Sequence, residues 1–193
     1  MKWNRRKTFI AVPLIVLFVS VVGGWALSRS SDSVDVNLTQ PGIQADPTIG
    51  TNVTNTGKKF SFVELTDNAT GEKGTISPAG KPMVVNFWFS TCEPCKREMP
   101  ALSAASATYG SKVDFIGINP NDTSEVATAF LKKYNITYPT YLDDGTQLAE
   151  AGVATLPATF FLDGKGNIVA QRAGELTTAD INQLITGDLG VTL

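Results

Sequence analysis

Histidine is absent from the whole 193-residue chain. That absence excludes Ser-His-Asp and Cys-His catalysis, histidine-ligated zinc or copper, and a proximal-histidine haem. Cysteine is nearly absent too. The two present are too few for a four-thiolate metal site or a disulfide framework. An excess of positive charge is lacking: 16 basic residues face 18 acidic ones, a formal net charge of -2. Nucleic-acid binders need a clustered basic face, and this balance provides none. What the chain does have is 42% hydrophobic residues, enough for a packed core and too many for global disorder. Its length suits one ordinary domain with short additions.

The charge is unevenly distributed. Lys2, Arg5, Arg6 and Lys7 make residues 1–8 a basic segment. Residues 9–27 then read FIAVPLIVLFVSVVGGWAL, with no charge. As a helix this run would be about 28 Å long, close to the ~30 Å hydrocarbon core of a bilayer. The preceding cations are expected to stay cytoplasmic, which places the rest of the chain outside. The segment reads as an N-terminal transmembrane signal-anchor. A cleaved signal peptide ending near Ala26-Leu27-Ser28 is the alternative. Residues 28–57 are rich in Ser, Thr, Asn, Asp, Pro and Gly and hold no aromatic residue. Such a stretch cannot bury enough apolar area to offset its ordering entropy and is expected to be a flexible linker.

From Lys58 onward strand and helix patterns alternate. Residues 60–65 read as an opening strand, followed by a Gly- and Asn-rich turn region. Residues 83–89, MVVNFWF, form an apolar run suited to a central strand covered on both faces. A helical pattern follows, with Cys95, Met99, Leu102, Ser106 and Tyr109 on one side. Residues 113–118 read as a second buried strand. Ser124–Tyr134 reads as a helix with Val126, Ala127, Phe130, Leu131 and Tyr134 facing inward. Residues 138–142 suggest a short strand. Residues 156–162 and 168–172 read as strands joined by the hairpin loop 163–167. Five residues are too few for a helical crossover, so this pair is expected to be antiparallel. Residues 178–185 close the chain as a helix. The alternation implies an α/β sandwich around a mixed sheet.

Both cysteines stand in Cys92-Glu93-Pro94-Cys95, between the apolar strand and the helix. At a helix N-terminus, free N–H groups and the helix dipole favour thiolate over thiol. Pro94 suits the first turn, where its missing N–H costs nothing. Lys96 favours the thiolate and Glu93 opposes it. A purely structural bridge over so short a loop would contribute only about 2 kcal/mol. Two thiolates without histidine leave a zinc site half-built. The pair therefore reads as a redox centre, as Cys-x-x-Cys beside a βαβ pattern does.

The run Val84-Val85-Asn86-Phe87-Trp88-Phe89-Ser90-Thr91-Cys92-Glu93-Pro94-Cys95-Lys96-Arg97-Glu98-Met99-Pro100 resembles the active-site segment of membrane-tethered thioredoxins of the ResA/TlpA type. Pro100, eight residues after Cys92, matches the helix proline of that family. The run from Gly152 to Phe161, GVATLPATFF, resembles the segment that carries the family's cis-proline, here Pro157. The resemblance covers residues 58–193. It implies a thioredoxin-like three-layer sandwich with a mixed sheet and a central α/β insertion, the helix at Ser124–Tyr134 and the strand near Tyr141. There are departures from the family. Thr91 stands where a tryptophan usually precedes the first cysteine. Asn86 stands where plain thioredoxin has a buried aspartate, which leaves that carboxylate missing beneath the disulfide. Glu98 matches a glutamate lining the active-site cavity, and the resemblance assigns it to proton transfer with Cys95.

The expected activity is thiol–disulfide exchange without a cofactor or metal. Cys92 is the attacking thiolate, Cys95 the resolving thiol, and Leu156 and Pro157 contact the substrate. By resemblance the protein is a single-pass cell-membrane enzyme with its catalytic domain outside. It would reduce exported client proteins, apocytochrome c among them, and draw electrons from a membrane redox partner. An exported disulfide-forming oxidase is the alternative. A thiol copper chaperone of the Sco type is disfavoured because its histidine ligand is missing. A peroxidase is disfavoured because the Thr-x-x-Cys arrangement is missing.

Overall fold

The computed structural model describes residues 52–192. The spanning segment expected at residues 9–27 lies outside them. Among the described residues, no helix is long and apolar enough to cross a membrane.

Among the described residues, seven strands form one sheet: β1 (Glu64–Asp67), β2 (Lys73–Thr75), β3 (Met83–Phe87), β4 (Asp114–Asn119), β5 (Thr140–Leu142), β6 (Ala158–Leu162) and β7 (Ile168–Ala173). The same residues form four helices: α1 (Glu93–Tyr109), α2 (Ser124–Tyr134), α3 (Thr146–Glu150) and α4 (Thr178–Gln183), the last continuing into a π-helical turn, Leu184–Asp188. The strand order is β2-β1-β5-β4-β3-β6-β7. Strands β3, β4 and β5 are parallel neighbours, while β6 and β7 run antiparallel, as the short loop between them requires.

Strand β3 lies at the centre, and all five of its residues are buried. Alternation divides them between two cores. Val84 and Trp88 face a cluster built with α1, α2 and α4. Met83, Val85 and Phe87 face a second cluster with Phe60, Ile116, Ile118, Phe160 and the α3 region. Burial on both faces explains why the run reads as continuously apolar. Gly117, paired with Asn86 in register, is a steric requirement. A Cβ there would lie 2.9 Å from Trp88 Nε1 and 3.0 Å from the Thr140 methyl, so any other residue would displace the indole.

Helix α2 has the limits read from the sequence. The Thr123 hydroxyl caps its start, and Asn135, in the left-handed region at φ 54°, ends it. Val126 departs from expectation: it is 46% exposed, and the inward face is made by Ala127 and Phe130. In α1 the buried stripe runs through Cys95, Glu98, Met99, Leu102, Ala105 and Tyr109, with Ser106 only half-buried. The opening strand begins at Glu64 rather than at residue 60. Phe60 instead donates its N–H to Gly166 and lays its ring beside Phe160, 5.2 Å between centroids. That segment covers the far face of the sheet and leaves β1 to pair with β2 and β5.

The packed region also begins earlier than Lys58. Val53 donates its N–H to Gly152 O at 3.1 Å, and Asn55 bonds both Ala151 and Gln171. These residues were expected to belong to the linker. Hydrogen bonding by short polar side chains, rather than apolar burial, holds them.

Candidate active site

The chain turns from β3 into α1 at Cys92, which is the N-cap residue of the helix. Cys92 and Cys95 are joined by a disulfide, with their Cα atoms 5.3 Å apart. The Cys92 Sγ accepts the Cys95 N–H at 3.2 Å, so an unpaired helix N–H is aimed at this sulfur. When the bond is reduced, that N–H and the helix dipole stabilise a Cys92 thiolate. Glu93 and Pro94 occupy the first turn, as expected. Glu93 and Lys96 form an ion pair, so their opposing effects on the thiol largely cancel. Cys92 retains 6% exposure and Cys95 none, which orders the pair into an outer and an inner sulfur.

The loop leading into the site is held from the next strand. Asp122, just after β4, accepts the Ser90 N–H at 2.6 Å and the Ser90 hydroxyl at 2.8 Å. The same carboxylate accepts the Asn119 side-chain amide at 2.7 Å. Ser90 is thereby fixed at the mouth of the site by a carboxylate 32 residues away. Sequence reading gave no signal for Asp122, because its contact depends on β3 and β4 being neighbours.

Glu98 lies three residues after Cys95 on the same face of α1 and is fully buried. In the disulfide form it is sealed from solvent and does not line an open cavity. Thr159 donates its hydroxyl to Glu98 Oε1 at 3.0 Å. The Asn86 amide donates to Thr159 Oγ1 at 3.0 Å and approaches Glu98 Oε2 at 3.5 Å. Asn86 and Thr159 are register partners across β3 and β6, so the sheet assembles this triad from residues 73 apart in sequence. The carboxylate missing at position 86 is thus supplied from the helix. Burial pushes the Glu98 carboxyl up to about 8; the bonds from Thr159 and Asn86 pull it down, and the charge of Glu175 pushes it further up. Near neutral pH the group is mainly a protonated acid. Tyr138, also buried, has its phenol pushed well up by burial and by the Glu98 charge.

Pro157 follows a cis peptide bond from Leu156, as the sequence implied. Pro157 is buried and Leu156 half-buried, immediately before β6 and two residues before Thr159. The structure therefore places Glu98 beside strand β6, which Pro157 leads into. Leu156 packs on the same apolar cluster that holds both cysteines.

A sequence profile of the AhpC/TSA family matches residues 56–171. The thioredoxin-like protein YneN of Bacillus subtilis is 28% identical over 186 residues, covering 94% of this chain and 99% of that protein. The thiol-disulfide oxidoreductase ResA of Bacillus thuringiensis is 30% identical over 108 residues, covering 55% of this chain and 62% of its own length. A thiol:disulfide interchange protein of the thioredoxin family from Chlorobium tepidum superposes with a TM-score of 0.61 at 23% identity, over 72% of this chain and 100% of that one. At that identity the superposition speaks for the fold alone.

Proposed function

The chain belongs to the AhpC/TSA family and is a thioredoxin-like thiol–disulfide oxidoreductase with its redox pair at Cys92 and Cys95, and from that premise we propose that it is a reductase of exported proteins, held at the outer face of the cell membrane by residues 9–27. Its clients are secreted chains whose paired cysteines must stay reduced, apocytochrome c before haem attachment among them. A membrane dithiol donor returns it to the reduced state. The uncharged run behind four cations supports the location.

One observation carries the chemistry: the outer sulfur, Cys92, sits at the helix cap and receives the Cys95 N–H. In the reduced protein the Cys92 thiolate attacks one sulfur of a client disulfide. A Cys92–client bond forms, the client bond breaks, and the first client sulfur leaves as thiolate. Cys95 then loses its proton and attacks the Cys92 sulfur. The Cys92–Cys95 disulfide forms and the second client sulfur leaves. Two electrons have passed to the client. The proton of Cys95 passes to the minor fraction of Glu98 that is ionised near neutral pH, one turn along the helix, and that fraction grows as pH rises toward about 8. Leu156 pairs its backbone with that of the client, and Pro157, whose carbonyl already accepts the Gly174 N–H, packs beside the sulfurs.

Trapping tests this order of attack. A Cys95→Ala protein incubated with a disulfide-bonded client should accumulate a covalent adduct on a non-reducing gel. A Cys92→Ser protein should form none and reduce nothing. An adduct that persists without Cys92 overturns the assignment.

A further inference from the structure

The segment arriving from the linker ends against the loop that carries the cis-proline. Asn52 Oδ1 accepts the N–H of Ala154 at 2.6 Å and of Thr155 at 2.7 Å, and the Thr155 hydroxyl lies 3.3 Å away. From the other end of the same carboxamide, Nδ2 donates to Thr155 O at 3.2 Å. One side chain therefore saturates the backbone of Thr155 from 103 residues away. The neighbouring contacts point the same way. Val53 N–H donates to Gly152 O at 3.1 Å, and Asn55 Nδ2 donates to Ala151 O at 3.0 Å. The Gln171 side chain brackets the segment, donating to Val53 O at 3.0 Å and accepting Asn55 N–H at 3.1 Å. Gly152, at φ +65°, permits the close approach, since a Cβ there would lie 3.0 Å from Val53 Cβ.

We propose that Asn52 is a positioning residue for substrate binding: it clamps the loop preceding Leu156–Pro157 and sets the register in which an extended client strand docks. This rests on the reductase reading above. The loop between α3 and β6 belongs to no strand and has no ladder to hold it. With Thr155 saturated, the next backbone groups open to a partner are those of Leu156, which makes no backbone hydrogen bond among the described residues. An extended peptide adding to an open backbone edge draws affinity from main-chain bonds, so the position of that edge decides binding. The linker is then part of the recognition surface.

The test uses the full chain in detergent. Reduced wild type, Asn52→Ala and Asn52→Asp are compared on two oxidants. One is a short extended peptide with a single internal disulfide; the other is bis(2-hydroxyethyl) disulfide, which has no backbone to dock. Asn52→Ala should raise KM for the peptide about tenfold with kcat little changed. Its rate with hydroxyethyl disulfide and its reduction potential should equal those of wild type. Asn52→Asp keeps the oxygen acceptor for both N–H groups and should return KM to within about threefold of wild type. Hydrogen exchange of the Ala154 and Thr155 amides gives a readout independent of activity, and both should lose protection in Asn52→Ala. An unchanged peptide KM overturns the proposal. So does an equal loss on both oxidants, or amide protection that survives the substitution. If wild type itself fails to reduce the peptide, the reductase reading falls, and the amide protection alone decides whether the clamp exists.

Discussion

Replacing Glu98 with glutamine should change how stability depends on pH. In the folded protein the carboxyl titrates at about 8, against 4.5 for an unburied glutamate, because burial disfavours its charge. The folded state therefore holds a proton that the unfolded chain releases. Stability is highest below the unfolded pKa, falls as pH rises through the window between the two values, and levels off above the folded one. Between about pH 4 and pH 7 this single group should remove about 3 kcal/mol. Glu98→Gln presents a neutral side chain in both states, so that loss should vanish. The assay is urea unfolding of the oxidised protein at several pH values, where the cysteines do not titrate. Other carboxylates contribute equally to both proteins, so the difference between the two pH profiles isolates Glu98. Profiles that stay parallel to within about 0.5 kcal/mol would refute the claim that the buried carboxyl is protonated near neutrality.

Three further outcomes are expected, two from the site and one from the N-terminal segment. In the reduced protein, Glu98→Gln should lower the titration midpoint of Cys95 by about one pH unit, because the ionised carboxylate opposes a second nearby charge; unchanged thiol titrations would remove its proton-transfer role. Asp122→Ala should cost about 2 kcal/mol by leaving the Ser90 N–H and the Asn119 amide without their shared acceptor, read as a lower urea midpoint, and a loss under about 0.5 kcal/mol would contradict it. The full chain should stay with the membrane pellet after an alkaline carbonate wash, and release into the wash would defeat the anchor.

The sequence was most informative where periodicity and special residues coincide. The core strand β3, the limits of α2 and the β6–β7 hairpin all follow from runs of apolar residues bounded by caps or turns. The cysteine pair and Pro157 were legible because their spacing is chemical. Strand β2 carries no apolar residue and all three of its residues are exposed, so nothing marked it. Helix α3 has five residues and no side-chain cap at Gly145, too short to show a period. It is held instead by Gln147, whose side chain accepts the Val63 N–H and donates to Ser61 O. Within the site, the burial of Glu98 and its bond to Thr159 could not be read in advance. They depend on β3 and β6 lying side by side in one register, which is a property of topology.

Trp88 shares its apolar cluster with both cysteines and is the only tryptophan among the described residues. Disulfides quench indole emission at short range. Opening the Cys92–Cys95 bond should therefore brighten a dye the protein already carries, and electron transfer could be followed in a fluorimeter, in real time, without any added label.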